Sequence, residues 1–320
     1  MDTAKYRDFI EYSDFIDYGK GVASMIDGYF KNAVPADQGS GLKSRIEYAI
    51  FSGKKIRPLL TVLSYQCLGG KIEDIIPLAA SVELLHNSTL VHDDIIDKDA
   101  IRRPSEPLYK KFGTSDAIIA GDAMIALSVN ISSQYGAEIV REMSRSGYEI
   151  CNGEFLDISL TLDATEEMIM LKMSQKSASL FKCATMAGAM AIKGTTWQID
   201  AFSRFGEHFG MAYQIKDDMM DILRSEIPDD FRNACMTLPL LHLYNNCDES
   251  MKNFIKENLG KNIGKESSEK IVNAMQDAGS IDHSESLMKQ RVKMAKDAIK
   301  DIDDSVYKQY LLDMPDMFLH

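Results

Sequence analysis

Apolar residues recur along the chain at helical spacing, and no stretch alternates apolar and polar residues over the length of a strand. Residues that favour helices dominate, and the 320 residues include only 8 prolines. The pattern predicts helices at 5–32, 40–51, 58–68, 73–97, 106–112, 115–135, 136–160, 166–191, 197–224, 237–246, 250–258, 266–278 and 283–312. No linker rich in proline, glycine or serine divides the chain, so the sequence predicts an all-α fold with residues 1–320 in a single domain.

The composition is that of a folded globular protein, with 45% hydrophobic and 26% charged residues. A net charge of −12 argues against a general nucleic-acid binder, but it allows a local basic pocket for an anionic small molecule. The five cysteines form no C-x-x-C pair, and the N-terminus lacks the apolar stretch of a signal peptide. No uncharged apolar run approaches the roughly 18 residues of a membrane span. The sequence therefore predicts a cytoplasmic protein without a membrane span or a nucleic-acid partner.

The first of two unusual segments, LVHDDIIDKDAIRRP at 90–104, concentrates aspartates inside an apolar helical sequence. It contains Asp93, Asp94 and Asp97. On a helix that turns about 100° per residue, His86 shares one narrow face with Asp93 and Asp97. The segment therefore predicts a helix face that presents two carboxylates and an imidazole together.

The second segment, YQIKDDMMDIL at 213–223, places Gln214 on one helix face with Asp217, Asp218 and Asp221. Paired carboxylates repel one another, and their burial is costly unless a cation is present. Magnesium prefers oxygen ligands, and it is commonly held by one or two carboxylates together with substrate phosphates. Two such clusters facing each other across a helical cavity would hold Mg²⁺ and a diphosphate, whereas one cluster alone could be a solvated acidic patch.

Basic residues precede both clusters. The segment SGKKIRPLL, at 52–60, sets Lys54 and Arg57 one turn apart, just before Pro58. Because proline suits a first helical turn, these side chains lie where a helix N-terminus would help to bind an anion. Taken alone, the segment is better explained as a solvated basic turn. Three further groups carry no specific signal by themselves: His86, Arg102–Arg103 and Lys176–Ser177.

The ordered set of motifs resembles the trans-type isoprenyl diphosphate synthases, the polyprenyl synthetase family, and is similar to geranylgeranyl diphosphate synthases. The motifs are G-K-x-x-R-P, E-x-x-H-x-x-x-L-x-H-D-D-x-x-D followed by R-R, K-[ST]-A-x-L, and Q-I-x-D-D-x-x-D. The resemblance runs from about Arg45 to Pro239. It implies a single-domain bundle of many helices around a central cavity, usually a homodimer. The implied reaction is the head-to-tail condensation of isopentenyl diphosphate with an allylic diphosphate.

The resemblance also implies a role for each matching position. The catalytic positions are Asp93, Asp94, Asp97, Lys176, Asp217, Asp218 and Asp221. The ligands of two or three Mg²⁺ ions among them are Asp93, Asp97 and Asp217. The positions that attend the allylic diphosphate are Arg102, Lys176, Ser177 and Gln214. The positions that attend isopentenyl diphosphate are Lys54, Arg57, His86 and Arg103.

The chain departs from the family pattern after the second aspartate cluster. The family usually has a lysine in G-K-x-T-L-P, but the segment NACMTLPLL has Ala234 and Cys235 at the first two positions. This departure leaves open a second hypothesis, a weakly active or non-catalytic partner subunit of a heteromeric prenyl synthase. A terpene cyclase is a third, but its second metal motif usually reads N-D-x-x-S-x-x-x-E, whereas this chain has D-D-M-M-D.

Product length in the family depends on the two positions that stand four and five residues before the first cluster. Bulky aromatic residues there stop chain growth, but this chain has Thr89 and Ser88. Both are small, so growth beyond a fifteen-carbon chain is expected, and the predicted product is geranylgeranyl diphosphate. The expected floor of the product cavity lies among Leu85, Ile119, Met124 and Leu127.

Overall fold

A computed structural model describes residues 12–36, 38–51, 53–98, 106–224 and 229–319. In this part of the chain the helices are α1 (Ser13–Ala33), α2 (Leu42–Ile50), α3 (Ile56–Cys67), α4 (Ile72–Ile96), α5 (Leu108–Phe112), α6 (Thr114–Ser132), α7 (Ala137–Ser159), α8 (Glu166–Met173), α9 (Ser179–Ala191), α10 (Thr196–Arg224), α11 (Asp229–Arg232), α12 (Leu238–Asn246), α13 (Glu249–Asn258), α14 (Lys265–Asp277), α15 (Ser280–Ala298) and α16 (Val306–Leu319). A 3₁₀ turn, Ser133–Tyr135, follows α6. The described residues contain no β-strand, so the predicted all-α fold is confirmed.

Most predicted helices begin and end within a few residues of the observed ones, although positions 5–11 of the first lie outside the described residues. The prediction of one helix over 283–312 is wrong. The chain forms α15 and α16 there, separated by the turn at 299–305. Ser305 directly precedes α16, and its Oγ accepts a hydrogen bond from the backbone N of Lys308 at 3.1 Å. The buried Lys308 ammonium donates to the carbonyl oxygens of Lys300 and Ile302 at 2.8 and 2.6 Å. These side chains satisfy backbone groups that a continuous helix would have paired internally.

Helix α4 lies at the centre of the bundle and packs against α3 and α6. Its buried residues occur all around its circumference, which is the pattern of a helix surrounded by others. Helix α9 contacts both α4 and α10, and α10 also packs against α15. The two helices that carry the aspartate clusters are thus held in one contiguous hydrophobic core, which extends from Phe15 to Leu319.

A π-helical turn, Ser174–Ala178, separates α8 from α9 within the predicted helix 166–191. Such turns widen a helix by one residue and frequently occur at functional sites. This turn contacts both α7 and α10. On α7, Gly153 allows the close approach, because a Cβ atom there would lie 2.2 Å from the backbone N of Lys176. The turn therefore brings Lys176 and Ser177 against the C-terminal part of α7.

The segment Thr114–Tyr135 is, within the described part of the chain, the one helix long and apolar enough to cross a membrane by length and composition. It carries Asp116 and Asp122, and 33% of its most apolar window is buried inside the protein. Several large apolar side chains on this helix are instead exposed at the surface, including Ile118 and Ile119.

Candidate active site

A cavity of about 720 Å³ contains carboxylates from both aspartate clusters. Its wall includes Asp93 from α4 and Asp97, which caps the C-terminus of that helix. Helix α10 contributes Asp217, Asp218 and Asp221 to the same cavity. The remaining predicted aspartate, Asp94, is buried and does not line the cavity. The fold therefore brings together two clusters that are far apart in the sequence.

Most of the other predicted site residues that the structure describes also lie around this cavity. The residues that line it are Arg57, His86, Lys176, Ser177 and Gln214. Lys54 lines a neighbouring cavity of about 370 Å³, which shares Arg57, His86 and Tyr213 with the first. Arg102 and Arg103 lie outside the described residues.

The border between these two cavities is formed by Arg57 and the groups that orient it. Its Nη1 atom lies 3.0 Å from Nε2 of His86. The guanidinium carbon lies 4.1 Å from the centre of the Phe181 ring, a cation–π contact. Tyr213 packs against the same ring, with 5.4 Å between ring centres. These contacts hold the planar, permanently charged guanidinium of Arg57 where it can bind an anion in either cavity.

A chain of hydrogen bonds connects the π-helical turn to the second aspartate cluster. Ser177 Oγ donates to Gln214 Oε1 at 2.5 Å, and Gln214 Nε2 donates to Asp218 Oδ1 at 2.7 Å. The other oxygen of Asp218, Oδ2, is buried and has no hydrogen-bond partner among the described residues. Burial raises the pKa of Asp218 to about 6, and Asp217 adds to the increase against the opposing effects of Lys172 and Gln214. The protein alone compensates the negative charge of the Asp218 carboxylate poorly, so a cation beside this carboxylate would be stabilised.

Lys176 is held by two carboxylates that the sequence analysis did not assign. Its Nζ atom lies 2.6 Å from Asp157 Oδ2 and 2.7 Å from Glu154 Oε2, both on α7. Burial acts to lower the pKa of Lys176, but Asp157 and Glu154 outweigh it and raise the pKa. Burial likewise acts to raise the pKa of Asp157, but Lys172 and Lys176 outweigh it and lower the pKa. The segment NGEFLD, at 152–157, is the sequence signal for these two acids, and the structure shows that both are buried.

Beside the second cluster, the cavity is lined by Asp230, Asn233 and Cys235, in the described segment that begins with α11. The backbone N of Asp230 donates to Asp221 Oδ2 at 3.1 Å. Burial, with Asp218 and Asp221 nearby, raises the pKa of Asp230 well above its usual value. Cys235 also lines the cavity, and burial raises the pKa of its thiol, which therefore stays protonated at neutral pH. The residue at the expected lysine position thus contributes no positive charge.

An apolar cavity of about 560 Å³ adjoins the polar one and shares Thr89, Asp93 and Ile150 with it. Both small residues singled out by the sequence, Ser88 and Thr89, line this cavity. Of the expected floor residues, only Leu85 lines it, whereas Ile119, Met124 and Leu127 do not. Helix α6 instead contributes Ile125, Ser128 and Val129. The expectation was wrong for these positions because the rotation of α6 about its axis is set by packing that a single sequence does not reveal.

Comparison with known proteins identifies the class to which this fold and site belong. Residues 40–277 match the family model described as polyprenyl synthetase. A short chain isoprenyl diphosphate synthase of Methanothermobacter thermautotrophicus is 31% identical over 280 residues, which cover 83% of this chain and 86% of the relative. A geranylfarnesyl diphosphate synthase of Methanosarcina mazei is 32% identical over 223 residues, 68% of this chain and 74% of the relative.

The same class is found among solved structures. The crystal structure of geranylgeranyl pyrophosphate synthetase from Pyrococcus horikoshii superimposes with a TM-score of 0.89 at 26% identity, covering 97% of this chain and 99% of that one. The fold is thus that of the isoprenyl diphosphate synthases. The chain belongs to the polyprenyl synthetase family and is a prenyltransferase that forms trans-prenyl diphosphates.

Proposed function

We propose that this enzyme condenses isopentenyl diphosphate head-to-tail with an allylic diphosphate and releases mainly geranylgeranyl diphosphate. The single observation that carries the proposal is the junction of the two cavities at Thr89 and Asp93. An aspartate-rich cavity there adjoins an apolar one, which suits a substrate with a diphosphate head and a hydrocarbon tail. The relatives differ in the product that their names state, so the product length depends on the residues of this chain.

The donor set at the junction fits divalent magnesium. Among the described residues no three His, Cys, Asp or Glu side chains form a group that could hold a metal ion by themselves. Magnesium commonly takes one or two carboxylates together with substrate phosphates and water, and each cluster offers such carboxylates. We assign Asp93, Asp97 and Asp217 as the ligands of two or three Mg²⁺ ions, with Asp94, Asp218 and Asp221 in support. When bound, the metal would withdraw charge from the leaving diphosphate.

The two substrates would occupy separate ends of the polar region. The allylic diphosphate lies against Lys176, Ser177 and Gln214, close to the second cluster. Isopentenyl diphosphate lies against Lys54, Arg57 and His86, in the neighbouring cavity. This arrangement places two anions so that their reacting carbons meet, which replaces a bimolecular encounter by a positioned one.

The side chains of this chain then protect and direct the reaction. Departure of the allylic diphosphate leaves an allylic cation, and the apolar cavity beyond Thr89 excludes water from it. In the polar cavity, the Tyr213 ring lines the wall beside the second cluster and is an aromatic group that can interact with positive charge. The double bond of isopentenyl diphosphate attacks the cation, and the released diphosphate takes the proton that is lost. No side-chain base is needed for this step.

A second copy of the chain is the proposed partner. Exposed apolar residues are concentrated on α6 and α7: Ile118, Ile119, Ile125, Val129, Tyr148, Phe155 and Ile158. Exposed apolar residues concentrated on two helices mark an interaction surface, and a homodimer would bury them. We further propose that residues 1–320 form one domain, and that the enzyme is cytoplasmic, since all five cysteines are free thiols.

The direct test is incubation of the purified chain with labelled isopentenyl diphosphate, Mg²⁺ and allylic primers of increasing length, followed by product sizing. We expect elongation of a farnesyl primer and accumulation of geranylgeranyl diphosphate. Accumulation of a longer or a shorter product would overturn the assignment of product length. The absence of condensation with every primer would overturn the assigned substrates.

A further inference from the structure

Lys172 is a buried cation directly behind the wall of the polar cavity. Its side chain is 7% exposed, and the residue does not line the cavity itself. Its Nζ atom donates to Asp157 Oδ1 at 2.9 Å and to the backbone oxygen of Met236 at 2.7 Å. Burial of an ammonium group is costly unless it is paired and hydrogen-bonded, so both contacts are needed to keep it there.

The two oxygens of Asp157 serve two different lysines. Oδ1 accepts from Lys172, whereas Oδ2 accepts from Lys176, one helical turn further along the chain. Glu154 is the second carboxylate at Lys176. Without Lys172, this group would hold two carboxylates and one ammonium, a net negative charge. With Lys172 it is neutral, so Lys176 retains more of its attraction for an incoming anion.

The wall beside this group is acidic. Asp218 and Asp230 line the cavity there, and Cys235 has a thiol where a basic residue would otherwise neutralise them. Lys172 bonds the carbonyl of Met236, the neighbour of Cys235. It therefore holds the loop that carries Cys235 and places a positive charge behind the same wall.

We propose that Lys172 is a positioning residue for the allylic diphosphate. From its buried position outside the cavity, it supplies the positive charge that Cys235, which lines the cavity, lacks. It acts through Asp157, which it partly neutralises, and through the loop at Met236, which it anchors. Lys176 contacts the diphosphate, and Lys172 leaves the ammonium group of Lys176 free to attract that anion. This inference rests on the proposed binding of the allylic diphosphate at Lys176.

The test compares four proteins: the wild type, Lys172→Met, Lys172→Arg, and the double variant Lys172→Met with Cys235→Lys. The first measurement is calorimetric binding of inorganic diphosphate in the presence of Mg²⁺, which does not depend on turnover. The second is the KM for each substrate. Lys296→Met is the matched control, since it removes a lysine that pairs with Asp316 at 2.7 Å and does not line the cavity.

We expect Lys172→Met to weaken diphosphate binding and raise the KM for the allylic substrate about tenfold, the loss typical of one charge-assisted contact. The KM for isopentenyl diphosphate should stay within about twofold of the wild type, because that substrate binds near Lys54 and Arg57. Lys172→Arg and the double variant should both recover binding, whereas Lys296→Met should bind as the wild type does.

Two results would overturn the proposal. One is unchanged diphosphate binding in a folded Lys172→Met protein. The other is recovery by Lys172→Arg but not by Cys235→Lys, because a lysine needed only to hold the loop cannot be replaced by a charge at 235. Failure of the proposed function has a different signature: the wild type itself would bind diphosphate but elongate no primer.

Discussion

The guanidinium of Arg57, on α3, and the imidazole of His86, on α4, meet at 3.0 Å on the border between two cavities. The contact joins two helices at the point where the proposed isopentenyl diphosphate site meets the metal site. Phe181 supports the guanidinium from one side at 4.1 Å. We therefore expect Arg57→Met to raise the KM for isopentenyl diphosphate about tenfold or more, since a charged hydrogen bond is lost.

The KM for the allylic substrate should change much less in this variant, because Lys176 and Gln214 remain. Steady-state kinetics with each substrate varied in turn would check the prediction. Arg57→Lys serves as the control, and it should recover only part of the affinity, because lysine lacks the planar fork. An equal rise in both KM values would contradict the assignment.

A substitution of Asp93 tests the assignment of the metal site. We expect Asp93→Asn to reduce turnover by about a hundredfold or more, because electrostatic stabilisation at a single group has effects of this size. Binding of Mn²⁺ as a paramagnetic probe, followed by electron paramagnetic resonance, should weaken in parallel. Circular dichroism should show the helical content of the wild type, which would separate a metal role from a structural one. Asp122→Asn, which alters an exposed carboxylate on α6 outside the polar cavity, should retain full activity.

Asp218 predicts a pH dependence of stability in the absence of divalent cations. Its pKa is about 6 in the folded protein, above the ordinary 3.8 of an aspartate, so protonation favours the folded state. That contribution is complete below about pH 4 and is lost as the pH rises through about 6. Asp218→Asn should therefore be more stable than the wild type at pH 7.5, with a free energy of unfolding higher by an amount on the order of 2 kcal/mol. Its unfolding temperature should rise accordingly.

The difference between Asp218→Asn and the wild type should shrink when the same denaturation is carried out at pH 4.5 in a chelator. A difference that is equal at both pH values would show that ionisation of Asp218 does not cause it. Mg²⁺ should act in the opposite direction, because it stabilises the ionised carboxylates of the wild type at pH 7.5 but competes with protons at lower pH.

A bulky substitution at Ser88 tests whether the product grows into the apolar cavity. It lines the apolar cavity on the side next to Thr89, so Ser88→Phe places a ring across the path of the growing chain. We expect the main product to become shorter than geranylgeranyl diphosphate, with little change in the KM for isopentenyl diphosphate. Product sizing by chromatography measures this directly. Leu127→Phe is the matched control and should leave the length unchanged, since Leu127 does not line the cavity.

Substitutions on the exposed face of α6 and α7 test the proposed homodimer. Phe155 is 68% exposed and Ile119 is 56% exposed. A charge at either position would have to be buried without a partner in the dimer, so Phe155→Asp and Ile119→Asp should shift the protein to monomers. Light scattering during size-exclusion chromatography would detect the shift. Trp197→Asp removes an exposed aromatic residue on α10 and should leave the dimer intact.

Several elements could be predicted from local sequence because their physical causes are local. The helical period of α4 and α10 indicated both helices, and the spacing of Asp93 and Asp97 indicated a shared face. The break between α15 and α16 was missed, although Ser305 is an N-cap residue with a recognisable position. Its partner, the buried Lys308, bonds carbonyl groups up to eight residues away, and a periodic charge pattern does not distinguish it from a surface lysine.

The amino-acid sequence by itself determined the helical class, the two aspartate clusters and the family, because these depend on residue type and on spacing along one chain. Only the tertiary structure decided which carboxylates share a cavity, that Asp94 is buried outside it, and that Asp157 serves both Lys172 and Lys176. Those relationships depend on the rotation and packing of helices far apart in sequence. The charge on a buried side chain is also decided there, because burial and neighbouring charges act through space.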